Sequence, residues 1–391
     1  MARLRAVKEG ARAGGVALVG LLGVAAIGLL GCGTAMARSG AGPEPVVRVL
    51  LYEGTEPIDV GPARAARPVA LGTGDRIRVD GRELASPWVP EGTGPWRVGR
   101  RVVRGRIAIQ HRDGLLQVVN RVGLEDYVAS IVGGEMAPSW PIEALRAQAV
   151  AARTYVLHEA GRRRSEPWDV LATAQSQVYR GIETETSETR AAARSTAGEI
   201  LVHRGEPILA VFHSTAGGRT ATAGEVWGED RPYLRMVDVE DEDDAPHTYW
   251  RTVFAPAALA GVLDAAGLGV GELAGVTVAG RTGSGRVERL ALQGSRRTRT
   301  LEGPELRALL SGIGLRSTLF EVRRTPEGIA FVGSGYGHGV GMSQWGARAM
   351  AQRGASYQRI LARFYPGAQL DARGVQRLAA SDAWPLVGGG K

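Results

Sequence analysis

Apolar residues recur at three- and four-residue steps through Ile142, Leu145, Ala149, Ala152 and Val156, which predicts a helix with one buried face. Ser139 as N-cap, Pro141 in the first turn and Gly161 past the end supply its start and stop signals. The long polar side chains of Gln148 and Arg153 fall off the apolar stripe. Just upstream, residues 124–132 form a shorter amphipathic segment that opens on Glu125 and Asp126, carboxylates expected to face solvent or cap a helix. Between the two segments, residues 133–138 read Gly-Gly-Glu-Met-Ala-Pro, a turn that carries Glu135. Position alone fits a solvated turn glutamate. Rigid neighbours on both sides are also what an acid/base group needs, because they fix its geometry.

The rest of the chain repeats short apolar runs. Those at 46–52, 68–71, 75–79, 96–98, 107–109 and 115–119 are separated by Gly, Pro and Asp and predict a β-rich stretch with tight turns. The runs at 107–110 and 115–119 form a hairpin around His111-Arg112-Asp113-Gly114, which makes His111 a turn residue, not a ligand. Residues 174–181 read as a strand and 187–196 as a helix. A second hairpin, 199–202 with 208–212, delivers a glycine-rich loop, His213-Ser214-Thr215-Ala216-Gly217-Gly218-Arg219-Thr220. Such a loop suits either sugar binding through hydroxyl and backbone groups or a structural turn with a hydrogen-bonded His213. The acidic run 240–244 lacks the alternating ligands of a calcium loop and reads as solvated. Helices at 255–266 and 304–310 alternate with strands at 276–279, 287–293, 320–323 and 329–332, a small α+β subdomain. The block 333–354, GSGYGHGVGMSQWGARAMAQRG, brackets His338 and Gln344 with glycines, and Ser343 N-caps a helix that Gly354 ends. It lacks the Lys-Ser/Thr of a phosphate loop, so close backbone approach to another chain or a glycan fits it better. A terminal helix spans 356–365, and the tail from 373 is expected to fray.

The fold class expected is therefore α+β: a β-rich body of short strands and hairpins with several amphipathic helices and a small α+β subdomain. The division is a signal segment 1–31, a linker 32–45, a β-rich part 46–121, a core 122–240 around Glu135, the subdomain 241–332, a glycine-rich block with terminal helices 333–372, and a tail 373–391.

Composition refines this picture in three places. The 391 residues are 44% hydrophobic and 23% charged, as in a globular protein with a sizeable core. The start is a targeting segment: Arg3, Arg5, Lys8 and Arg12 precede an apolar run, 16–30, too short for a comfortable membrane span. That run closes on Leu29-Leu30-Gly31-Cys32, the pattern of a lipoprotein signal with lipidation at Cys32, while Ala35-Met36-Ala37 offers an ordinary cleavage site. Either places the protein outside the cytoplasm, in the cell envelope, anchored through an N-terminal lipid or released. With one cysteine in the chain, no internal disulfide framework and no thiolate nucleophile are expected in the mature part. The formal charge of +8 is spread along the chain without interleaved aromatics, which argues against a nucleic-acid partner.

Taken together, LEDY…GGEM.P.WP.EAL.AQAVAARTY, the Gln-Val-Tyr of 177–179, the His-Ser-Thr block and the GYGHGVGMSQWGA block resemble the stage II sporulation protein D family, which includes amidase-enhancer proteins. The resemblance covers about residues 46–369. It implies a peptidoglycan lytic transglycosylase with Glu135 as catalytic acid/base, cleaving the bond between muramic acid and glucosamine to leave 1,6-anhydro ends. It further implies that Gln148, Arg153, Tyr155, Gln177, Tyr179, His213, Ser214, Thr215, His338 and Gln344 line the substrate site. Some members place Cys and His metal ligands ahead of the Gln-Val-Tyr segment; residues 168–176 hold neither, so no metal and no cofactor is expected. The partners implied are glycan strands, with or without peptide stems, and a cell-wall amidase. The alternative reading is a non-catalytic enhancer that binds and stimulates that amidase.

Overall fold

The computed structural model describes residues 44–92, 94–173 and 175–380. The segment read as a signal, Cys32 and residues 381–391 lie outside them. Strand Val46–Gly54 sits inside a four-stranded sheet, antiparallel to Leu115–Gly123 and parallel to Val170–Leu171; Arg106–Arg112 closes the far edge. The hairpin of Arg106–Arg112 and Leu115–Gly123 turns on Asp113-Gly114, both at positive φ, the geometry a two-residue turn matched to strand twist requires. His111, read as a turn residue, therefore lies in the strand, opposite Leu116. A second, six-stranded antiparallel sheet collects the short runs between residues 58 and 103. Short strands and helices in several sheets make the architecture α+β, as the pattern predicts.

Helix α1 (Leu124–Glu135) follows the sheet directly, and α2 (Ile142–Arg162) crosses the centre of the molecule. Ala144, Ala147, Ala149, Val150, Ala151 and Ala152 of α2 are all fully buried, so this helix is enclosed nearly all round instead of along one stripe. Its small side chains admit α1, α3 (Ser187–Ser195), α7 (Gln344–Gln352) and α8 (Tyr357–Phe364) as neighbours. Between α3 and α7 lie α4 (Ala223–Trp227), α5 (Pro256–Ala265) and α6 (Gly303–Gly312). One apolar core joins residues from Val47 to Val239 with Val340 to Val375; a second, from Trp250 to Phe331, is made by α5, α6 and strands between 249 and 334.

Several local expectations are corrected. α2 begins at Ile142 with Pro141 as N-cap and no side-chain cap, because Ser139 is part of a turn closed by Trp140 N–H to Ala137 O; it ends at Arg162, beyond Gly161. Helix α1 continues to Glu135, so the turn begins after the glutamate. Residues 175–181 are not a strand, since their polar groups bond to side chains of α1 and the sheet instead of to a ladder. Residues 208–211 are also irregular, and only Phe212–His213 pairs, in parallel with Met342–Ser343. The tail is docked as far as residue 380: strand Gln369–Asp371 pairs with Ile200–His203, and α9 (Gly374–Ala380) follows.

Arg153 is the main correction. It is fully buried, its guanidinium forked onto Glu125 at 2.5 and 2.9 Å and donating to Ala193 O and Glu199 O at 3.1 Å. Glu125 thus faces inward to its partner, and the pair ties the start of α1 to α2, α3 and the strand beyond. Removing one member of a buried ion pair strands the other and costs roughly 3–5 kcal/mol. Arg153→Ala is expected to lose about 3 kcal/mol, since Glu125 keeps some solvent, in urea unfolding. Arg153→Lys should recover only part, because an ammonium cannot reproduce the fork.

Candidate active site

Glu135 is the last residue of α1, and its carboxylate faces segments far away in sequence. Oε1 accepts the Val178 N–H at 2.9 Å, and Oε2 accepts from Gln344 Nε2 at 3.2 Å. Burial pushes its pKa above the ordinary 4.5, while those two hydrogen bonds and the charge of Arg180 pull the other way and only partly offset it. A helix C-terminus, with its exposed carbonyl pole, also disfavours a negative charge there. Among the described residues, no second carboxyl hydrogen-bonds to it.

The two glycines before it explain the approach. A Cβ at Gly133 would lie 1.9 Å from Thr184 O, and one at Gly134 2.4 Å from Val178 O. Glycine in a helix costs about 1 kcal/mol relative to alanine. Here it lets the end of α1 press against the backbone that supplies the Val178 donor. That backbone is fixed from below: Tyr127 Oη donates to Gln177 Oε1 at 2.7 Å, and Tyr179 Oη donates to Asn120 Oδ1 at 2.8 Å with its ring stacked on Tyr127.

The Gln344 side of the site is built by the two glycine-rich blocks, which pair with each other. Besides the parallel pairing of Phe212–His213 with Met342–Ser343, Thr215 bridges Tyr336 and Ala221 bridges Val340. His338 Nδ1 accepts the Val340 N–H at 3.1 Å, so Nε2 carries the proton and donates to Phe212 O at 2.9 Å. His213 Nδ1 faces Val340 O at 3.1 Å, and the two rings lie 5.5 Å apart. Burial holds both neutral, pushing His338 down to about 4 and His213 well below the ordinary value. Ser343 caps α7 by accepting the Gly346 N–H, and the next residue is Gln344. Beside it, partly exposed Trp345 meets Trp140 edge-on at 4.9 Å, with the Arg348 guanidinium 4.8 Å from the Trp345 ring.

The residues expected to line the site divide accordingly. Gln344 touches Glu135; Ser214 is in the other glycine-rich block, its carbonyl accepting the N–H of Trp345, the residue after Gln344, at 3.1 Å. Gln177 and Tyr179 are buried beneath the Val178 donor and position it. His213 and Thr215 are buried in the paired blocks, and half-buried His338 is held by backbone on both ring nitrogens. Gln148 and Arg153 are wholly buried within α2, and neither they nor Tyr155 bonds to the carboxylate. Partly buried Tyr155 has its hydroxyl pushed up to about 12 by burial. Among the described residues no cluster of His, Cys, Asp or Glu is arranged to hold a metal.

The stage II sporulation protein family (SpoIID) matches residues 112–203, the stretch that contains Glu135, Gln177 and Val178. An uncharacterized protein of Brachyspira hyodysenteriae is 33% identical over 278 residues, covering 71% of this chain and 74% of that protein. The stage II sporulation protein D of Bacillus subtilis is 33% identical over 269 residues, 65% of this chain and 76% of that one. The chain belongs to the stage II sporulation protein D family. The amidase enhancer of Bacillus subtilis is 30% identical over 285 residues, 61% of this chain and 39% of its own length. Residues 247–341, which include the second apolar core, match a separate domain of unknown function (DUF8618).

In this SpoIID-family chain the acidic run 240–244 contains a residue that sequence reading placed in solvent. Glu242 is buried, and its carboxylate accepts the N–H groups of Ala216 and Gly217 at 2.9 Å, that of Gly218 at 3.4 Å, and the Ser343 hydroxyl. It thereby fastens one glycine-rich block to the cap of α7. Its flanking acids are exposed, and no periodicity marks it, so only the pairing of the blocks exposes its role.

A carboxyl whose folded pKa is raised stabilises the fold fully below its unfolded pKa, and that contribution is lost as pH rises through the folded value. Glu135→Gln is therefore expected to melt at a higher temperature than the parent at neutral pH. The difference should shrink toward zero near pH 4, as followed by circular dichroism.

Proposed function

We infer that this protein is a peptidoglycan lytic transglycosylase with Glu135 as its general acid and base. The observation that carries the reading is one largely buried carboxyl held by two donors from opposite walls, with no second carboxyl among its hydrogen-bond partners in the described residues. Hydrolysis of a glycoside calls for two carboxylates flanking the bond. A single acid suffices for an internal displacement. The protonated Glu135 gives its proton to the glycosidic oxygen, and the carboxylate so formed takes the proton from the muramic acid C6 hydroxyl as that oxygen attacks C1. The product is a 1,6-anhydro ring, and no water is consumed. The raised pKa favours the protonated form that starts the cycle. The Gln344 amide and Val178 N–H hold the carboxylate between the two transfers. The Trp140–Trp345 pair offers apolar ring faces beside it for sugar stacking.

The relationship to an amidase enhancer supports a second reading, in which the same surface binds a cell-wall amidase and stimulates it. Digestion of purified glycan strands, with and without peptide stems, separates the two. Mass spectrometry is expected to find anhydro-ended fragments from the parent, with Glu135→Gln slower by roughly 10²–10⁴-fold. The rate should fall as pH rises above the pKa of Glu135, when the acid form is lost. Absence of anhydro products from both substrates, with acceleration of an added amidase, would replace the first reading with the second.

A further inference from the structure

A cavity of about 830 Å³ is lined by α4, by α6 and neighbouring residues of the segment that matches 247–341, and by Tyr336, Gly337 and His338 of the second glycine-rich block. Its wall carries Trp227, at the end of α4, and Tyr336, both 43% exposed, with the His338 ring 5.3 Å from that of Trp227. Large aromatic rings left open to a concave surface are a common provision for an amphipathic ligand. The opposite wall is α6, whose first turn and Arg307 line the cavity.

Arg307 is half-buried, and among the described residues it has no hydrogen bond or ion pair. Burial lowers its pKa from the ordinary 12.5. Among the other charges of the wall, buried Arg286 keeps Nε and Nη1 without a partner and Glu302 is exposed at the start of α6, while Arg316, Glu225 and Glu288 each have a neighbour. Arg316 donates to His247 Nε2 at 3.2 Å and lies 5.6 Å from the centre of the Tyr336 ring. The Glu225 carboxylate accepts the Ser284 N–H at 3.0 Å, and Glu288 lies 3.9 Å from Arg289. An unpaired, partly desolvated guanidinium beside a helix N-terminus is matched by an anion, and a planar fork of donors suits a carboxylate. The aromatic faces suit the apolar faces of pyranose rings.

We propose that this cavity is a subsite for a carboxylate-bearing saccharide of the peptidoglycan strand, with Trp227 and Tyr336 against the sugar and Arg307 on the carboxylate. The assignment rests on the reading that the chain acts on peptidoglycan. The carboxylate comes either from the lactyl group of a stem-free muramic acid or from an attached peptide stem. The second domain, through α6, thereby contributes directly to substrate recognition. The block 333–354 links the two places, since it supplies His338 to the cavity and Gln344 to Glu135.

Calorimetry on the full chain carrying Glu135→Gln reads binding without cleavage. The ligands are a stem-free glycan oligosaccharide, a stem-bearing one of equal length, and a chitooligosaccharide, which has no carboxylate. At least one carboxylate-bearing ligand is expected to bind about ten-fold or more tightly than the chitooligosaccharide. Adding Arg307→Gln should abolish that preference while leaving chitooligosaccharide affinity within about two-fold, and Arg307→Lys should restore part of it. Whichever oligosaccharide loses affinity identifies the source of the carboxylate. An unchanged preference in Arg307→Gln, or none in its parent, overturns the proposal. Binding that depends on Arg307 in a protein that fails to cleave glycan would leave this subsite standing and remove the transglycosylase; cleavage without that dependence would do the reverse.

Discussion

The structure depends on keeping one carboxyl out of water between walls that the chain brings from 43 and 209 residues away. Glu135 gains little from that position by itself. Burial disfavours its ionised form, and the two donors compensate only in part. The surrounding fold supplies the difference. Gly133 and Gly134 remove the side chains that would hold the Val178 segment away. Tyr127, Gln177, Tyr179 and Asn120 lock that segment from beneath. On the other wall the paired glycine-rich blocks and Glu242 fix the cap of α7, and with it Gln344.

This arrangement separates the residues that act from those that position. Most polar side chains of the marked sequence blocks are turned inward. Arg153, Gln177, Tyr179 and His213 are at most 5% exposed, and three of them anchor backbone or carboxylate groups around the site. Charge-assisted bonds in a low-dielectric interior are strong and geometrically strict, so such networks hold a site rigid. The surface left for a ligand is made by fewer groups: the Glu135 carboxyl with the Gln344 amide, the Trp140–Trp345 pair, and the rings and arginine of the cavity at α6.

Much of the fold was legible in the sequence because it follows from local periodicity. The Asp113-Gly114 hairpin, α3, α7 with its Ser343 cap, and the alternation beyond residue 255 all follow from spacing and turn chemistry. The failures share a cause. Residues 174–181 have strand-like composition, yet within 175–181 the polar groups of Gln177, Val178 and Tyr179 bond to side chains from α1 and the sheet. The α2 stripe omitted Gln148 and Arg153, because a one-face pattern cannot anticipate a helix enclosed on all sides by later segments. Glu242 looked like its exposed neighbours until the blocks it joins were seen to pair. In the tail expected to fray from 373, residues 374–380 form α9, anchored by the Val375 N–H on Gly198 O, which no local signal announces. Glu135 was legible as a candidate from its motif; the identity of its two donors was not.

The central claim is that burial raises the pKa of the Glu135 carboxyl above its ordinary value. It is tested most directly by carbon-13 NMR titration of glutamate side chains in the labelled protein, with the Glu135 signal assigned by its loss in Glu135→Gln. A midpoint clearly above 4.5 is the result predicted here. A midpoint at or below 4.5 in the parent would contradict the account, leaving Glu135 an ordinary carboxylate between two hydrogen-bond donors.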